Sequence, residues 1–301
     1  MTVNAEKSLN QETELLALRD ALNSRLDRLL PPGGERDRVS AAMREGTLAP
    51  GKRIRPLLLL LAAHDLGCDK THPGLLDLAC AVEMVHSASL ILDDIPCMDN
   101  ATLRRGRPTI HRQYGQDVAI LAAVALLSNA FGIIASAEGL PADCRAQAVT
   151  QLSSAVGLQG LVQGQYQDLN EGGDTRSPTA IARTNDLKTS MLFDATLQMA
   201  ALAADASPLV RQKLRYFAQD LGQAFQLLDD LADSHAGTGK DPHQDAGKST
   251  LVALLGAEVV HQRLRDHLNS ADRHFAYVCD KGLATRHFMH SWFEQQLAAF
   301  G

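Results

Sequence analysis

The sequence predicts an all-α fold in a single domain. Apolar residues recur at three- and four-residue spacing along most of the 301 residues, as on one face of an α-helix. The sequence lacks convincing runs of alternating polar and apolar residues, which would indicate strands. No linker divides the chain, and apolar residues make up 45% of it, enough for a sizeable core. We therefore expect one domain over residues 1–301, in which residues 1–20 form a less ordered N-terminal segment.

Proline and glycine residues indicate where the helices begin and end. The first periodic segment is rich in leucine and stops at the Pro-Pro-Gly-Gly sequence of residues 31–34. Pro56 and Pro73 suit the first turns of two later helices, the second of which runs through Leu92. Further helices are expected over about 37–45, 117–137, 142–171, 178–204, 208–233, 257–280 and 284–299, with polar loops at 99–108 and 234–249.

The charge and the cysteines exclude several classes of protein. The formal net charge is −6 and no basic tract stands out, so the sequence gives no reason to expect nucleic acid binding. The five cysteines form no CxxC pair, and the N-terminus shows no secretory signal. We therefore expect free thiols in a reducing cytoplasm.

One segment, residues 118–137, is long and apolar enough to span a bilayer. It contains Ser128 and Asn129, no Lys or Arg flanks it closely, and no other segment resembles it. We interpret it as a helix in the core or at a subunit interface, and we expect no membrane span.

Two aspartate clusters, each at the end of an apolar run, are the most informative feature of the chain. The first cluster holds Asp93, Asp94 and Asp99. Asp93 and Asp99 would point apart on a continuous helix, but Pro96 ends the helix and lets the chain bring Asp99 back. We therefore expect this cluster at a helix end and in the turn that follows it.

The second cluster holds Asp229, Asp230 and Asp233. On a helix these carboxylates share one side, because Asp229 and Asp233 are one turn apart. Such a cluster alone is often a solvated helix end. The two clusters together favour Mg²⁺, which takes oxygen ligands from carboxylates and from a bound phosphate. Facing each other, they would hold a diphosphate between them through metal ions.

Basic residues occur in two segments of the sequence, where two diphosphates would need them. Lys52, Arg53 and Arg55 precede a predicted buried helix, and Arg104 and Arg105 follow the aspartates. Guanidinium groups match phosphate oxygens in pairs, whereas the Lys ammonium acts as a point charge. A single Arg pair is more often a solvated surface feature, and the neighbouring carboxylates are what favour a phosphate site.

The loop 234–249 ends in Gly-Lys-Ser, like a phosphate-binding loop. Pro242 stands where that motif needs its first glycine, and no predicted strand precedes the loop. Two interpretations remain open. The loop is either a lid in which Lys240 and Lys248 cover a diphosphate, or an ordinary exposed turn.

Taken together, these motifs resemble the trans-prenyl diphosphate synthases, and most closely the bacterial geranylgeranyl diphosphate synthases of carotenoid biosynthesis. The resemblance runs from about residue 22 to the end of the chain. The motifs that carry it are GKRIRP (51–56), EMVHSASLILDDIPCMDN (83–100), LRRGRPT (103–109), GLVQGQYQDL (160–169), LKTSMLF (187–193), LGQAFQLLDDLAD (221–233) and GKDPHQDAGKSTLV (239–252). The resemblance implies an isoprenoid synthase fold, in which roughly ten or more helices surround a deep central pocket. It also implies a homodimer that needs Mg²⁺.

The resemblance further implies a role for each matching residue. About three Mg²⁺ ions per active site would be held, with substrate bound, by Asp93, Asp94, Asp99, Asp229, Asp230 and Asp233. The allylic diphosphate would be bound by Arg104, Lys188, Lys240 and Lys248. Isopentenyl diphosphate would be bound by Lys52, Arg55, His86 and Arg105. The developing allylic cation would face Thr189 and Gln226. The residues expected to carry catalysis are Asp93, Asp94, Asp229, Arg104, Lys188, Thr189 and Gln226.

Small residues before the first cluster bear on the length of the product. Ala88 and Ser89 lie roughly 6–7.5 Å along the helix from Asp93. Farnesyl-producing relatives often carry an aromatic residue at this position. The resemblance therefore implies that allylic diphosphates of C5 to C15 grow to geranylgeranyl diphosphate (C20) through Mg-assisted ionisation, condensation and proton elimination.

Three alternative functions compete with this one. Farnesyl diphosphate synthesis (C15) is the nearest alternative. A class I terpene cyclase shares an aspartate-rich helix, but the two basic segments for a second diphosphate argue against it. A non-catalytic regulatory subunit of a synthase usually lacks one or both aspartate clusters, and both are present here.

Overall fold

The computed structural model describes residues 3–34, 36–171, 173–233, 250–279 and 283–298. Its helices are α1 (Val3–Leu29), α2 (Arg38–Leu48), α3 (Ile54–Asp65), α4 (Pro73–Asp93), α5 (Ile110–Tyr114), α6 (Gln116–Ser136), α7 (Ala142–Val156), α8 (Leu161–Glu171), α9 (Pro178–Asn185), α10 (Met191–Ala203), α11 (Pro208–Asp233), α12 (Leu251–Leu255), α13 (Ala257–Val278) and α14 (Ala284–Ala298). Leu103–Arg104 (β1) and Arg107–Pro108 (β2) form an antiparallel hairpin. The all-α prediction is confirmed, because strand structure in the described ranges is limited to this hairpin and one isolated bridge.

Helix α1 begins at Val3, so its backbone covers most of the 1–20 segment that we expected to be less ordered. Its side chains are described from Glu12 onwards. The buried residues Leu18, Leu22 and Leu26 recur every four positions and pack α1 against α4, α2 and α3. The N-terminal helix thus lies against the same core as the rest of the chain.

The ends of two core helices carry the aspartate clusters. Helix α4 packs mainly against α6 and α3, and α11 packs against α13 and α10. Helix α10 also contacts α3 and α7, so it bridges the two groups. Because α4 is apolar on all sides, its side chains are buried on all sides over most of its length. The core therefore holds the ends of both helices, at Asp93 and Asp233, from several directions.

The predicted helix over 142–171 is wrong, because the structure divides it into α7 and α8. Helix α7 stops before Gly157, whose N–H donates to the carbonyl of Ser153 at 2.9 Å. A Cβ at Gly160 would lie 2.0 Å from the carbonyl oxygen of Ala155, so only glycine fits this reversal. Helix α12 also lies outside the predicted helices.

The predicted loop over 99–108 contains the β1–β2 hairpin. Arg105 and Gly106, at its tip, have φ values of 53° and 73°. Positive φ at both central residues is the pattern of a type I′ turn, whose twist matches that of the two strands. The hairpin thereby places Arg104 and Arg105 next to the end of α4.

The predicted helix over 178–204 contains a π turn, Asp186–Ser190, between α9 and α10. A π turn widens the helix by one residue and is rare, and it occurs frequently at functional sites. Lys188 and Thr189, both predicted site residues, lie in this turn.

Two glycines allow neighbouring helices to approach the π turn. A Cβ at Gly164 of α8 would lie 2.5 Å from the backbone nitrogen of Lys188. A Cβ at Gly222 of α11 would lie 2.2 Å from Oγ and 2.5 Å from Cα of Ser190. The turn is therefore clamped between α8 and α11.

Among the described residues, two helices, Pro73–Asp93 and Gln116–Ser136, are long and apolar enough to cross a membrane by length and composition. The expectation that no other segment resembles 118–137 is therefore wrong, because α4 passes the same test. In its most apolar window α4 is 72% buried, as expected for a core helix, whereas α6 is only 39% buried. One face of α6 packs on α4 and α2. The other face exposes Leu121 and Val124 by 55% and 57% in the single chain. The segment 118–137 is thus a core helix on one face only.

We expect Gly222→Ala to destabilise the protein by about 1–3 kcal/mol, because the added methyl group overlaps with Ser190. Gly34→Ala, before α2, is the matched control, since no atom lies within 4 Å of its Cβ position and its φ is not left-handed. That substitution should stabilise the protein by about 0.4–1 kcal/mol. The free energy of unfolding in urea measures both. Equal stabilities for the two variants would contradict the clamped turn.

Candidate active site

The first aspartate cluster is built by the end of α4 and a tight turn. Helix α4 ends at Asp93, and the N–H of Asp99 donates to the carbonyl oxygen of Asp93 at 2.9 Å. The N–H of Asn100 donates to the carbonyl of Ile95 at 3.1 Å, and Asn100 has a φ of 50° that asparagine tolerates. The chain therefore returns Asp99 to Asp93, as the position of Pro96 predicts.

Asp94 is paired with Arg104 of the hairpin. The Nε atom of Arg104 lies 2.9 Å from both oxygens of Asp94, and Nη2 lies 2.6 Å from Oδ1. Burial raises the pKa of Asp94, and the guanidinium of Arg104 opposes this shift. The pair fixes the Arg104 side chain, which is predicted to bind the allylic diphosphate, next to the first cluster.

Within the first cluster, Asp93 is the carboxylate whose ionised form is least favourable. Burial raises the pKa of Asp93 to about 6, and the charges of Asp99 and Asp94 act in the same direction. Lys188 and Arg104 oppose the shift, so both cations lie near this carboxylate. A cluster of carboxylates that destabilise one another in this way favours a bound cation.

The second cluster is joined to the π turn by hydrogen bonds. The Thr189 hydroxyl donates to Gln226 Oε1 at 3.1 Å, and Gln226 Nε2 donates to Asp230 Oδ1 at 2.9 Å. Asp230 is buried, whereas Asp229 is exposed. The structure thus brings Thr189, Gln226 and Asp230 together. The backbone of Asp233 closes α11, and its side chain lies outside the described part of the chain.

The two clusters lie close enough for their charges to reach the same basic groups. Burial disfavours the charged form of Arg104, but the Asp94 pair and the charges of Asp93 and Asp229 together raise its pKa. Burial lowers the pKa of Arg55 to about 10, against the charge of Asp229. Asp229 of α11 and Asp93 of α4 therefore face a common region that contains Arg104.

Arg55 and His86 form the inner part of the predicted second diphosphate site. Both side chains are half-buried. Burial lowers the pKa of His86 well below its usual value, and the charges of Arg55 and Arg105 act in the same direction. The imidazole of His86 is therefore neutral at neutral pH and able to donate one hydrogen bond.

Arg53, which we grouped with Lys52 and Arg55 by sequence, is directed into the core. It has a φ of 53°, and its Nη1 lies 2.6 Å from Oε1 of Glu83. Both side chains of this pair are only 4% exposed. Arg53 also donates to Asn23 and to the carbonyl of Ala49, at 3.2 and 3.1 Å. Arg53 thus anchors the basic segment to the core, and the residues of this segment that are predicted to bind isopentenyl diphosphate are Lys52 and Arg55.

Ala88 and Ser89 lie on different sides of α4. Ser89 is about 40° around the helix from Asp93, whereas Ala88 is about 140° from it. Ser89 is half-buried and its hydroxyl donates to the carbonyl of His86 at 2.8 Å. Ala88 is fully buried. Of the two residues, Ser89 shares the face of the first cluster.

Comparison with known proteins identifies the family of this chain. The sequence matches the polyprenyl synthetase family over residues 36–278. This chain belongs to the polyprenyl synthetase family. It is 62% identical over 301 residues to the geranylgeranyl diphosphate synthase of Pantoea ananas, with 99% of both chains covered. It is 56% identical over 298 residues to the geranylgeranyl diphosphate synthase of Pseudescherichia vulneris, with 99% of this chain and 97% of that one covered.

A solved structure shares the fold of this polyprenyl synthetase. The geranyltransferase of Helicobacter pylori, solved in complex with magnesium and isoprenyl diphosphate, superposes with a TM-score of 0.83 at 26% identity. The superposition covers 96% of this chain and 98% of that one. The isoprenoid synthase fold predicted from the motifs is confirmed.

Sequence reasoning missed one charged residue of this polyprenyl synthetase, Glu83. A carboxylate within the long apolar run of α4 was the available signal, because a buried charge needs a partner. Lys188 also has a partner, since its Nζ lies 2.7 Å from Oδ2 of Asp168 in α8. Lys240 and Lys248 fall in 234–249, outside the described residues, so both interpretations of that loop stay predictions.

We expect Glu83→Gln to destabilise the protein by about 3–5 kcal/mol, because it leaves the buried guanidinium of Arg53 without a counter-charge. Glu45→Gln is the matched control. Its partner Arg107 lies 2.9 Å away but is 53% exposed, and such pairs contribute about 0–1 kcal/mol. Denaturant unfolding of both variants measures the difference, and a similar loss for both would contradict a structural role for the Arg53–Glu83 pair.

Proposed function

We propose that this protein is a geranylgeranyl diphosphate synthase, which condenses isopentenyl diphosphate with allylic diphosphates of C5 to C15. The observation that carries the proposal is the pair of aspartate clusters at the ends of α4 and α11, with Arg104 and Lys188 beside Asp93. Such an arrangement suits an allylic diphosphate that must lose its diphosphate group. The identity of 62% to a geranylgeranyl diphosphate synthase over 99% of the chain supports the same activity.

The donor set fits Mg²⁺ as the cofactor. Carboxylate oxygens are the ligands of this hard cation, and Asp93, Asp99 and Asp229 supply them on two sides of one region. Among the described residues, no three Asp, Glu, His or Cys side chains lie together as a group that could hold a metal ion on its own. Mg²⁺ usually keeps water and substrate phosphate oxygens as ligands, so we propose that each cluster supplies only one or two carboxylates to it. We propose about three ions per site with substrate bound, a number that lets both clusters contribute.

The basic residues would divide between two diphosphates. Arg104 and Lys188, held by Asp94 and Asp168, would bind the allylic diphosphate. Lys52, Arg55 and the neutral His86 would bind isopentenyl diphosphate. The remaining proposed ligands are Arg105 for isopentenyl diphosphate, and Lys240 and Lys248 for the allylic substrate.

The reaction begins with cleavage of the C1–O bond of the allylic diphosphate, whose electron pair leaves with the diphosphate. Bound Mg²⁺ would supply charge neutralisation for that leaving group. Arg104 and Lys188 add positive charge at fixed positions, which stabilises the departing anion. The oxygens of Thr189 and Gln226 would face the allylic cation, and apolar walls would exclude water from it.

Condensation and elimination complete the cycle. The double bond of isopentenyl diphosphate attacks C1 of the cation, and the new cation loses a proton to restore a double bond. We propose that the released diphosphate takes this proton. Thr189 donates its hydroxyl to Gln226, and the nearby Asp230 already accepts a hydrogen bond from Gln226, so neither suggests itself as a dedicated base.

Product analysis tests the proposal. The purified protein, Mg²⁺, isopentenyl diphosphate and each allylic starter in turn should yield a C20 alcohol after dephosphorylation. We expect Asp93→Ala and Asp229→Ala to lower kcat by at least about 100-fold, because each removes charge stabilisation of the leaving group.

Asp266→Asn, an exposed carboxylate on α13, is the control and should leave kcat unchanged. A C15 product would favour farnesyl diphosphate synthesis, and no product with any starter would favour a regulatory subunit. Near-normal turnover by a folded Asp93→Ala or Asp229→Ala variant would contradict the assigned site.

The face of α4 that carries Asp93 bears on product length. Ser89 lies one turn before Asp93 on this face, so an aromatic ring there would block the space into which the chain grows. We predict that Ser89→Phe shortens the product from C20 to C15. Ala88→Tyr stays a second prediction of a shorter product, but Ala88 is fully buried on another side of α4, so this variant should also lose stability. Chromatography of the dephosphorylated alcohols measures the length, and unchanged C20 from both variants would refute the prediction.

We also propose a homodimer formed through α6. The exposed residues Ile120, Leu121 and Val124 give this helix an apolar face that one chain leaves open. Contiguous apolar surface of this kind commonly marks an interface between proteins. A second copy presents the same face, so the contact would be symmetric and closed.

We expect the double variant Leu121→Asp and Val124→Lys to be monomeric, because it places charges in this apolar face. Leu209→Asp is the control, since Leu209 is exposed by 48% on a different helix and should leave the dimer intact. Sedimentation equilibrium measures the mass. A dimeric double variant would assign the contact to another surface.

The proposed compartment is the cytoplasm. All five cysteines lie in described residues and are free thiols. Free thiols are typical of a reducing compartment.

A further inference from the structure

Three aromatic side chains from three helices form a continuous layer. The rings of Phe193 in α10 and Phe225 in α11 have centroids 4.9 Å apart. The ring of Trp292 in α14 lies 4.4 Å from that of Phe225, with an angle of only 17° between the planes. Phe225 directly precedes Gln226, so the layer borders the candidate active site.

A cation from the basic segment lies at each end of this aromatic layer. Arg55 Cζ lies 4.4 Å from the ring centroid of Phe193, and Lys52 Nζ lies 4.9 Å from that of Trp292. The ammonium of Lys52 also donates to Oε1 of Gln296. Both distances fall within the range in which the negative face of an aromatic ring attracts a cation. Helix α14 therefore contacts a side chain that is 244 residues away in sequence.

Helix α14 is itself anchored, so it can hold another group in place. The carboxylate of Asp65 accepts the backbone N–H of Thr285 at 2.9 Å, in the first turn of the helix. Arg286 makes two bonds of 2.7 Å to Asp272 of α13. Phe293, buried in the core, fixes the middle of the helix next to Trp292. The packing of α14 thus fixes the positions of Trp292 and Gln296 relative to Lys52.

We propose that Trp292 and Gln296 are positioning residues that hold the ammonium of Lys52 for the diphosphate of the isopentenyl substrate. This inference rests on the proposed function. A Lys side chain carries a compact charge on a flexible four-carbon stem. An unrestrained Lys therefore loses much rotamer entropy when it binds a phosphate. The ring of Trp292 and the amide of Gln296 restrict Lys52 before the ligand arrives, without neutralising its charge.

Direct binding of isopentenyl diphosphate tests the inference without turnover. Calorimetric titration of the full chain should give a Kd for isopentenyl diphosphate that is about three- to tenfold higher in Gln296→Ala than in the wild type. Gln295→Ala is the matched control, because Gln295 is exposed on the same helix and its amide donates to Ser291 of that helix. The control should bind as the wild type does.

The tryptophan variants distinguish the effect of the aromatic ring from the effect of side-chain volume. Trp292→Leu should raise the Kd about three- to tenfold, whereas Trp292→Phe keeps an aromatic face and should raise it less. Because Trp292 is the single tryptophan of the chain, its fluorescence should change on addition of isopentenyl diphosphate to the wild-type protein. Circular dichroism establishes that each variant is folded, and Trp292→Phe provides the test if Trp292→Leu is not.

A double-mutant cycle asks whether the effect passes through Lys52. In the Lys52→Gln background, Gln296→Ala should raise the Kd no further. An equal increase with and without Lys52 would overturn the inference. So would a Kd that is unchanged or lower in both Gln296→Ala and Trp292→Phe, since a lower value would mean that α14 keeps Lys52 away from the ligand.

Steady-state kinetics distinguishes this inference from the proposed function. Gln296→Ala should raise KM for isopentenyl diphosphate about three- to tenfold, with kcat and KM for the allylic substrate within about twofold of the wild type. Equal increases in both KM values would indicate a structural effect and overturn the inference. Wild-type protein that binds isopentenyl diphosphate but forms no product would refute the proposed function alone, and the binding titrations would still decide the positioning role.

Discussion

The concentration of carboxylates at the ends of two core helices is the constraint on which the rest of the structure depends. Asp93 ends α4 and Asp229 lies in the last turns of α11, and the core holds both helices from several sides. Burial raises the pKa of Asp93 to about 6, which measures how unfavourable its charge is there. The hairpin and the π turn respond to this constraint, since each brings a cation, Arg104 or Lys188, to the same place.

Local signals predicted most of the fold. Apolar periodicity and proline positions gave the long helices, and Pro96 predicted the return of Asp99, because both effects operate within a few residues. The break between α7 and α8 was missed because glycine alone is tolerated inside helices. Its cause is the close contact of Gly160 with Ala155. The π turn was missed for a similar reason, since it depends on glycines of α8 and α11 that are distant in sequence.

The sequence predicted which residues form the candidate site better than it predicted their interaction partners. The motifs named Arg104, Lys188, Thr189 and Gln226, and the structure brings each of them to an aspartate cluster or its partner. The sequence could not distinguish Arg53 from its neighbours, because the difference lies in a left-handed backbone and a carboxylate, Glu83, thirty residues away. The sign of a side chain's charge follows from the residue type, but tertiary packing decides where that side chain points.

The left-handed backbone at Arg53 and Arg105 has a consequence for any attempt to make this protein more heat-resistant. Both have a φ of 53°, a conformation that glycine or asparagine adopts at lower cost than arginine. At Arg53 the buried ion pair with Glu83 outweighs this backbone cost, so relief of the strain would favour a replacement at Arg105 alone. At Arg105 the exchange would trade the guanidinium at the hairpin tip, which we propose binds isopentenyl diphosphate, for a relaxed backbone, so heat resistance and substrate binding would compete at this position.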